Sequence, residues 1–167
     1  MCGIAFFATL NQGEDEMNGN HDFRDLLQCL NEAGARYLIV GAYAVIFHTE
    51  PRYTKDLDIW ADPAPENAGK IWSALVRFGA PLADLTLADL SNPDIVFQIG
   101  VEPNRIDILM DVEGLNFQEA WEGRASGTYE DQKIFVLGYD DTVKAKKAAG
   151  REQDLLDAHR LEAIKKK

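Results

Sequence analysis

Apolar positions along this chain alternate between stripes of helical period and short continuous runs. Phe23, Leu26, Leu27 and Leu30 recur at i, i+3, i+4 and i+7, which predicts a helix with one buried face, capped near Asp22 and stopped at Gly34. Leu38, Ile39 and Val40 form a short unbroken run with β-branched members, the pattern of a strand covered on both faces. Gly41 lets the backbone turn, and Ala42 to Phe47 fits one or two helical turns that must end before Pro51. A second strand follows at Asp56 to Trp60, with Leu57 and Ile59 directed into the core. Ala68, Ile71, Trp72, Leu75 and Phe78 make the core face of a helix over Pro65 to Phe78, closed by Gly79. Ile95 to Gly100 and Arg105 to Met110 read as a hairpin around a turn at Glu102 to Arg105. Downstream come a short helix with Phe117 and Trp121 inward, two short strands, and a helix capped by Asp140 or Asp141. A last helix docks through Leu155, Ala158, Leu161 and Ile164. The sum is an α/β (α+β) fold, a mixed sheet flanked by helices with further helices at the C-terminus. Residues 1–20 are polar and acidic and predict a flexible arm, and residues 21–167 a single domain.

Two features of this pattern carry chemistry. Asp56 and Asp58 lie two apart on a strand, so both carboxylates leave from one face. Such neighbours repel unless something positive lies between them, and hard carboxylate oxygens suit Mg²⁺ or Mn²⁺. One connection earlier, the Gly41-Ala42 turn opens a helix whose first N–H groups lack intrahelical partners and can hold an anion. Asp107, between Ile106 and Ile108, is costly in an apolar strand unless it is paired or bound to a metal. Arg105 shares its face and is the structural partner at hand. Arg52 can make forked bonds to phosphates or pair with Asp56 or Glu50, and Thr54 can orient a carboxylate. His48 is read as a polar cap on its helix end. Lys144, Lys147 and Arg151 share one face, open to a polyphosphate, if their helix runs through Gly150.

These residues resemble the nucleotidyltransferase superfamily built on the DNA polymerase β-type core. The resemblance lies in Gly41-Ala42, Arg52, Thr54, Asp56-Leu57-Asp58, Asp107 and the stretch from Lys144 to Ala158. Its small bacterial branch, related to the AbiEii-type toxin nucleotidyltransferases of toxin–antitoxin pairs, is the most similar. The resemblance implies a metal-dependent transfer of a nucleoside monophosphate from a nucleoside triphosphate to a hydroxyl of RNA, protein or a small molecule. It implies Asp56, Asp58 and Asp107 as catalytic and metal-binding residues, Asp107 acting as general base or third ligand. It also implies Gly41, Ala42, Arg52, Thr54, Lys144, Lys147 and Arg151 as the nucleotide site. One departure is Ala42, where the family has Gly or Ser; no hydroxyl is available there for phosphate. A nucleotide-sensing or partner-binding module on the same fold is the alternative.

Composition narrows the partners. The 167 residues are 46% hydrophobic and 27% charged, ordinary for a globular protein, and the net charge is −11. That balance opposes non-specific binding to a polyanion. No apolar run predicts a membrane span, and Cys2 and Cys29 form neither a disulfide framework nor a metal motif, so a reducing cytoplasm is expected. Met1-Cys2-Gly3-Ile4 is how class II glutamine amidotransferases begin, but none of that family's later motifs follows.

Overall fold

A computed structural model describes residues 20–165, so the expected arm up to residue 19 and the Cys2 start lie outside the described residues. Helix α1, His21–Glu32, is capped by Asn20, whose side chain accepts from the backbone of Asp22 and Phe23. The cap is therefore two residues earlier than Asp22. The buried stripe is the expected one: Phe23, Leu26, Leu27 and Leu30. Strand β1, Tyr37–Val40, is buried throughout and runs directly into helix α2, Gly41–His48. Strand β2 is Asp56–Ala61, helix α3 is Pro65–Phe78, and a 3₁₀ turn covers Ala88–Ser91. Strands β3, Val96–Ile99, and β4, Arg105–Leu109, form the expected antiparallel hairpin. Helix α4, Phe117–Glu122, precedes a second hairpin of β5, Ala125–Tyr129, and β6, Gln132–Val136. Helices α5, Tyr139–Ala149, and α6, Glu152–Lys165, complete the described chain.

The strands make one six-stranded mixed sheet in the order β3-β4-β2-β1-β6-β5. β2 lies antiparallel to β1 and parallel to β4, and β1 is parallel to β6. The four inner strands, β4, β2, β1 and β6, therefore come from separated parts of the chain, and long-range burial selects their order. Leu57, Ile59, Ile106 and Ile108 bury on one face. On the other, Trp60 meets Phe117 edge-on at 5.1 Å, and Phe117 stacks on Trp121. Trp121 itself is only half-buried, held between the guanidinium groups of Arg36 and Arg124.

The C-terminal helices depart from expectation. Gly138, not Asp140 or Asp141, caps α5; the two carboxylates sit in its first turn, where they favour the positive end of the helix. Gly150 adopts a left-handed φ of +70° and ends α5. Lys144, Lys147 and Arg151 consequently do not form one helical stripe. In α6 the inward residues are Asp154, Asp157, Ala158 and Leu161, while Leu155 is 43% exposed. The docking face was expected to be apolar; half of it is two carboxylates. No helix among the described residues is long and apolar enough to cross a membrane.

Candidate active site

The register of the sheet assembles the site. Asp58 on β2 pairs with Asp107 on β4, and Asp56 pairs with Arg105. Directly opposed residues of neighbouring strands project from the same face, so all three predicted aspartates share one surface with Arg105. Val40 lies on the far side of Asp58, and Gly41 follows it. Gly41 has a φ of +66°, and a Cβ there would fall 2.2 Å from Asp58 Oδ2. The glycine thus permits both the turn into α2 and the approach of the carboxylate to it. No side chain caps α2, so its leading N–H groups face the region beside Asp58 without a built-in anion.

Charge in this cluster is only partly balanced. Arg105 Nη2 lies 2.9 Å from Asp56 Oδ2, and its Nε lies 3.1 Å from Asp107 Oδ1. The Nε contact is close as a charge pair but misaligned for a hydrogen bond; the guanidinium donates to Asp107 through Nη2 at 3.3 Å instead. Glu102 approaches the same guanidinium more distantly, at 3.9 Å. The pairing expected for Asp107 is thus present, while Asp56 is held by the same Arg105 and not by Arg52. Asp56 Oδ1 is buried without a hydrogen-bond partner. Asp58 is not among Arg105's ion-pair partners, and burial, then the Asp107 and Asp56 charges, push its carboxyl up to about 6.

Beside Asp58 opens a cleft of about 210 Å³ between the sheet and α5, walled by Gly41, Leu109, Thr142, Lys146 and Arg151 among others. Lys146 is the helix's inward cation. Its Nζ lies 3.2 Å from Asp154 Oδ1 and 3.2 Å from Asp157 Oδ2, and its charge partly offsets the rise at Asp58. Lys146 lies off the face shared by Lys144, Lys147 and Arg151 that the charge spacing singles out. A signal was nonetheless present: Thr142, Ala145, Lys146 and Ala149 recur at i, i+3, i+4 and i+7, and all four line the cleft. Small residues on that arc let the sheet approach, and the one long side chain among them must project into the space left.

The other candidates divide. Arg151 lines the cleft, with its Nε donating to Asp154 at 2.7 Å. Lys147 points away and pairs with Glu162 on the surface. Lys144 does not line the cleft. Arg52 is bound to Asp157 at 3.2 Å, a partner absent from the choices Asp56 and Glu50. Asp157 is 1% exposed and joins the loop before β2, α5 and α6 through Arg52 and Lys146. Thr54 lies in the connection before β2 and not in the strand, so the strand period does not extend to it. Ala42 is the second residue of α2. His48 holds the Leu137 carbonyl at 2.8 Å, a structural role for the helix end, and burial lowers its pKa.

This six-stranded mixed sheet flanked by helices is a nucleotidyltransferase-like fold, and solved structures share it. One is the lincosamide antibiotic adenylyltransferase LnuA with lincomycin bound, at a TM-score of 0.56 and 18% identity, over 87% of this chain and 97% of that one. Another is a Thermotoga maritima protein proposed to be a nucleotidyltransferase, at a TM-score of 0.54 and 13% identity, over 88% of this chain and 92% of that one. At these identities the likeness establishes the fold. No protein-family model matches the chain, and no curated protein sequence does.

Proposed function

We propose that this protein is a metal-dependent nucleotidyltransferase that moves a nucleoside monophosphate from a nucleoside triphosphate to a hydroxyl acceptor, releasing pyrophosphate. The observation that carries the reading is the register that sets Asp58 against Asp107, with Asp56 on the same face, beside the Gly41 turn. Both neighbouring folds bear names of this class, which supports it.

The donor set suits a hard divalent cation. Asp56 keeps a buried oxygen without a hydrogen-bond partner, and Asp58 is raised by burial and then by the Asp107 and Asp56 charges, which Lys146 and Arg105 only partly offset. As the side chains stand, no three His, Cys, Asp or Glu among the described residues gather tightly enough to hold an ion. Arg105 is the cation that Asp56 and Asp107 share in that arrangement. Asp56 and Asp58 would hold Mg²⁺ or Mn²⁺, with Asp107 beside them. When bound, the metal supplies charge neutralisation at the triphosphate and its α-phosphorus.

The chain's own residues supply the rest. The Gly41-Ala42 turn and the first N–H groups of α2 bind the outer phosphates. Ala42 offers only its backbone for this. Lys146 and Arg151, in the wall of the adjacent cleft, offset negative charge on the departing pyrophosphate. Asp107 takes the proton of the acceptor hydroxyl as its oxygen bonds to the α-phosphorus. The bond from that phosphorus to the bridging oxygen breaks, and the electron pair leaves with pyrophosphate.

Each labelled nucleoside triphosphate, incubated with Mg²⁺ and cell-extract small molecules, RNA or protein, tests the reading. Label transfer is expected, and Asp56→Ala or Asp58→Ala should abolish it while the fold survives. Full transfer by either variant would remove the proposal. A nucleotide-sensing module is the second reading, favoured by the arginine lodged between Asp56 and Asp107 and by Ala42; binding without pyrophosphate release would establish it.

A further inference from the structure

The register aligns more than the carboxylates. Val40, Asp58, Asp107 and Gln98 are successive partners across β1, β2, β4 and β3, so four side chains stand in one row on one face. The adjacent row is Leu38, Trp60, Leu109 and Val96. The two ends of the first row differ. From the β1 end the cleft under α5, with Lys146 and Arg151 in its wall, reaches past Asp58 to Leu109 on β4. At the β3 end the sheet stops at an edge strand whose Gln98 is exposed and whose Val96 is 50% exposed.

We propose that the open face of β3, formed by Gln98 and Val96 next to Asp107, is the acceptor subsite, and that Gln98 positions the acceptor for transfer. The proposal rests on the nucleotidyl-transfer reading and adds the direction of approach and the kind of acceptor. Attack on phosphorus runs in line, with the incoming oxygen opposite the departing one. The groups suited to the departing pyrophosphate all lie on the β1 and α5 side of Asp58: the α2 N-terminus, Lys146 and Arg151. The incoming hydroxyl must then arrive from the other side, over Asp107 and Gln98.

The row also limits what can sit there. Directly opposed residues on antiparallel strands have Cα atoms about 5 Å apart. An acceptor whose reacting hydroxyl lies at Asp107 would thus present a second polar group to the Gln98 amide about one strand spacing away. Val96 and half-buried Leu109, side by side in the next row, offer an apolar contact flanking it. The carboxamide both donates and accepts and carries no charge. The surrounding charge is negative, from Asp56, Asp58, Asp107 and Glu102 against the two cations Arg105 and Lys55, on a chain of net charge −11. A polyanionic acceptor is repelled from such a face. The acceptor that fits is a small neutral or cationic hydroxyl compound with an apolar flank.

The test uses the full chain, labelled nucleoside triphosphate with Mg²⁺, and cell extract separated into small-molecule, RNA and protein fractions. The wild type should label the small-molecule fraction. Gln98→Ala and Val96→Asp should raise the amount of that fraction needed for half-maximal transfer by about tenfold, with half-saturation by the triphosphate within about twofold. Calorimetry with a triphosphate bearing a methylene bridge between the α and β phosphorus should give the wild-type affinity for both variants. Equal acceptor dependence in wild type and both variants would overturn the subsite while leaving the transferase standing. Label appearing in RNA would overturn the acceptor chemistry. Absence of transfer by the wild type to any fraction would overturn the transferase reading and the subsite with it.

Discussion

Replacing Gly41 with alanine should damage both the fold and the site, and the structure separates the two contributions. The first is conformational: a φ of +66° lies in the left-handed region, which costs an L-residue about 1–2 kcal/mol. The second is steric. The new methyl carbon would lie 2.2 Å from Asp58 Oδ2 and 3.1 Å from its Cγ, so the carboxylate must swing aside by about an ångström. Forcing Asp58 from its rotamer adds about 1 kcal/mol. Gly41→Ala should therefore destabilise the chain by about 2–3 kcal/mol and displace one of the two paired carboxylates. Urea unfolding of four proteins at pH 7 with chelator measures this: wild type, Gly41→Ala, Asp58→Ala and the double variant. Removing the carboxylate relieves most of the steric part, leaving only the 3.2 Å contact with the Cβ of residue 58, so in the Asp58→Ala background the glycine change should cost little more than the backbone share. The cycle should close with a coupling of about 1 kcal/mol. Additivity within about 0.3 kcal/mol, or a cost for Gly41→Ala below about 0.5 kcal/mol, would refute the close approach of turn and carboxylate.

Three further outcomes follow from the same cluster. Asp58 is held at about 6 against an ordinary 3.8, so from about pH 4 to 6 the folded chain binds more protons than the unfolded one. Stability without metal should accordingly fall as pH rises through that window, by up to about 3 kcal/mol, and Asp58→Asn should flatten the dependence in urea melts from pH 4 to 8. Arg105 competes with any cation for Asp56 and Asp107; Arg105→Met should tighten Mn²⁺ binding by about an order of magnitude in calorimetry, and unchanged affinity would count against the competition. Asp157→Ala removes the carboxylate that holds Arg52 and leaves Lys146 with Asp154 alone, and should cost about 2 kcal/mol in urea unfolding, a loss below about 1 kcal/mol showing that water and Asp154 replace it.

Local regularities were enough for the sequence to determine a good deal. The apolar stripe of α1, the buried run of β1, the glycine turn and the two-residue spacing that sets Asp56 and Asp58 on one face all follow from periods of 3.6 and 2. The short connection between β3 and β4 likewise dictated their antiparallel pairing. What tertiary structure alone decided concerns partners far apart in the chain. Nothing local states that β4 inserts beside β2 with Asp107 opposite Asp58, that Arg105 reaches two carboxylates at once, or that Gln98 completes their row. Nor does local pattern say which lysine of α5 turns inward: Lys144 and Lys147 form the tidier charged stripe, but Lys146 is the one that Asp154 and Asp157 receive. Those two aspartates look like surface charges in a helix of mixed polarity, and they are buried because cations from two other segments meet them there. Secondary structure is set by the chain's own near neighbours, whereas a charge can be buried only where the fold delivers its counter-charge, and that delivery is a property of the whole sheet.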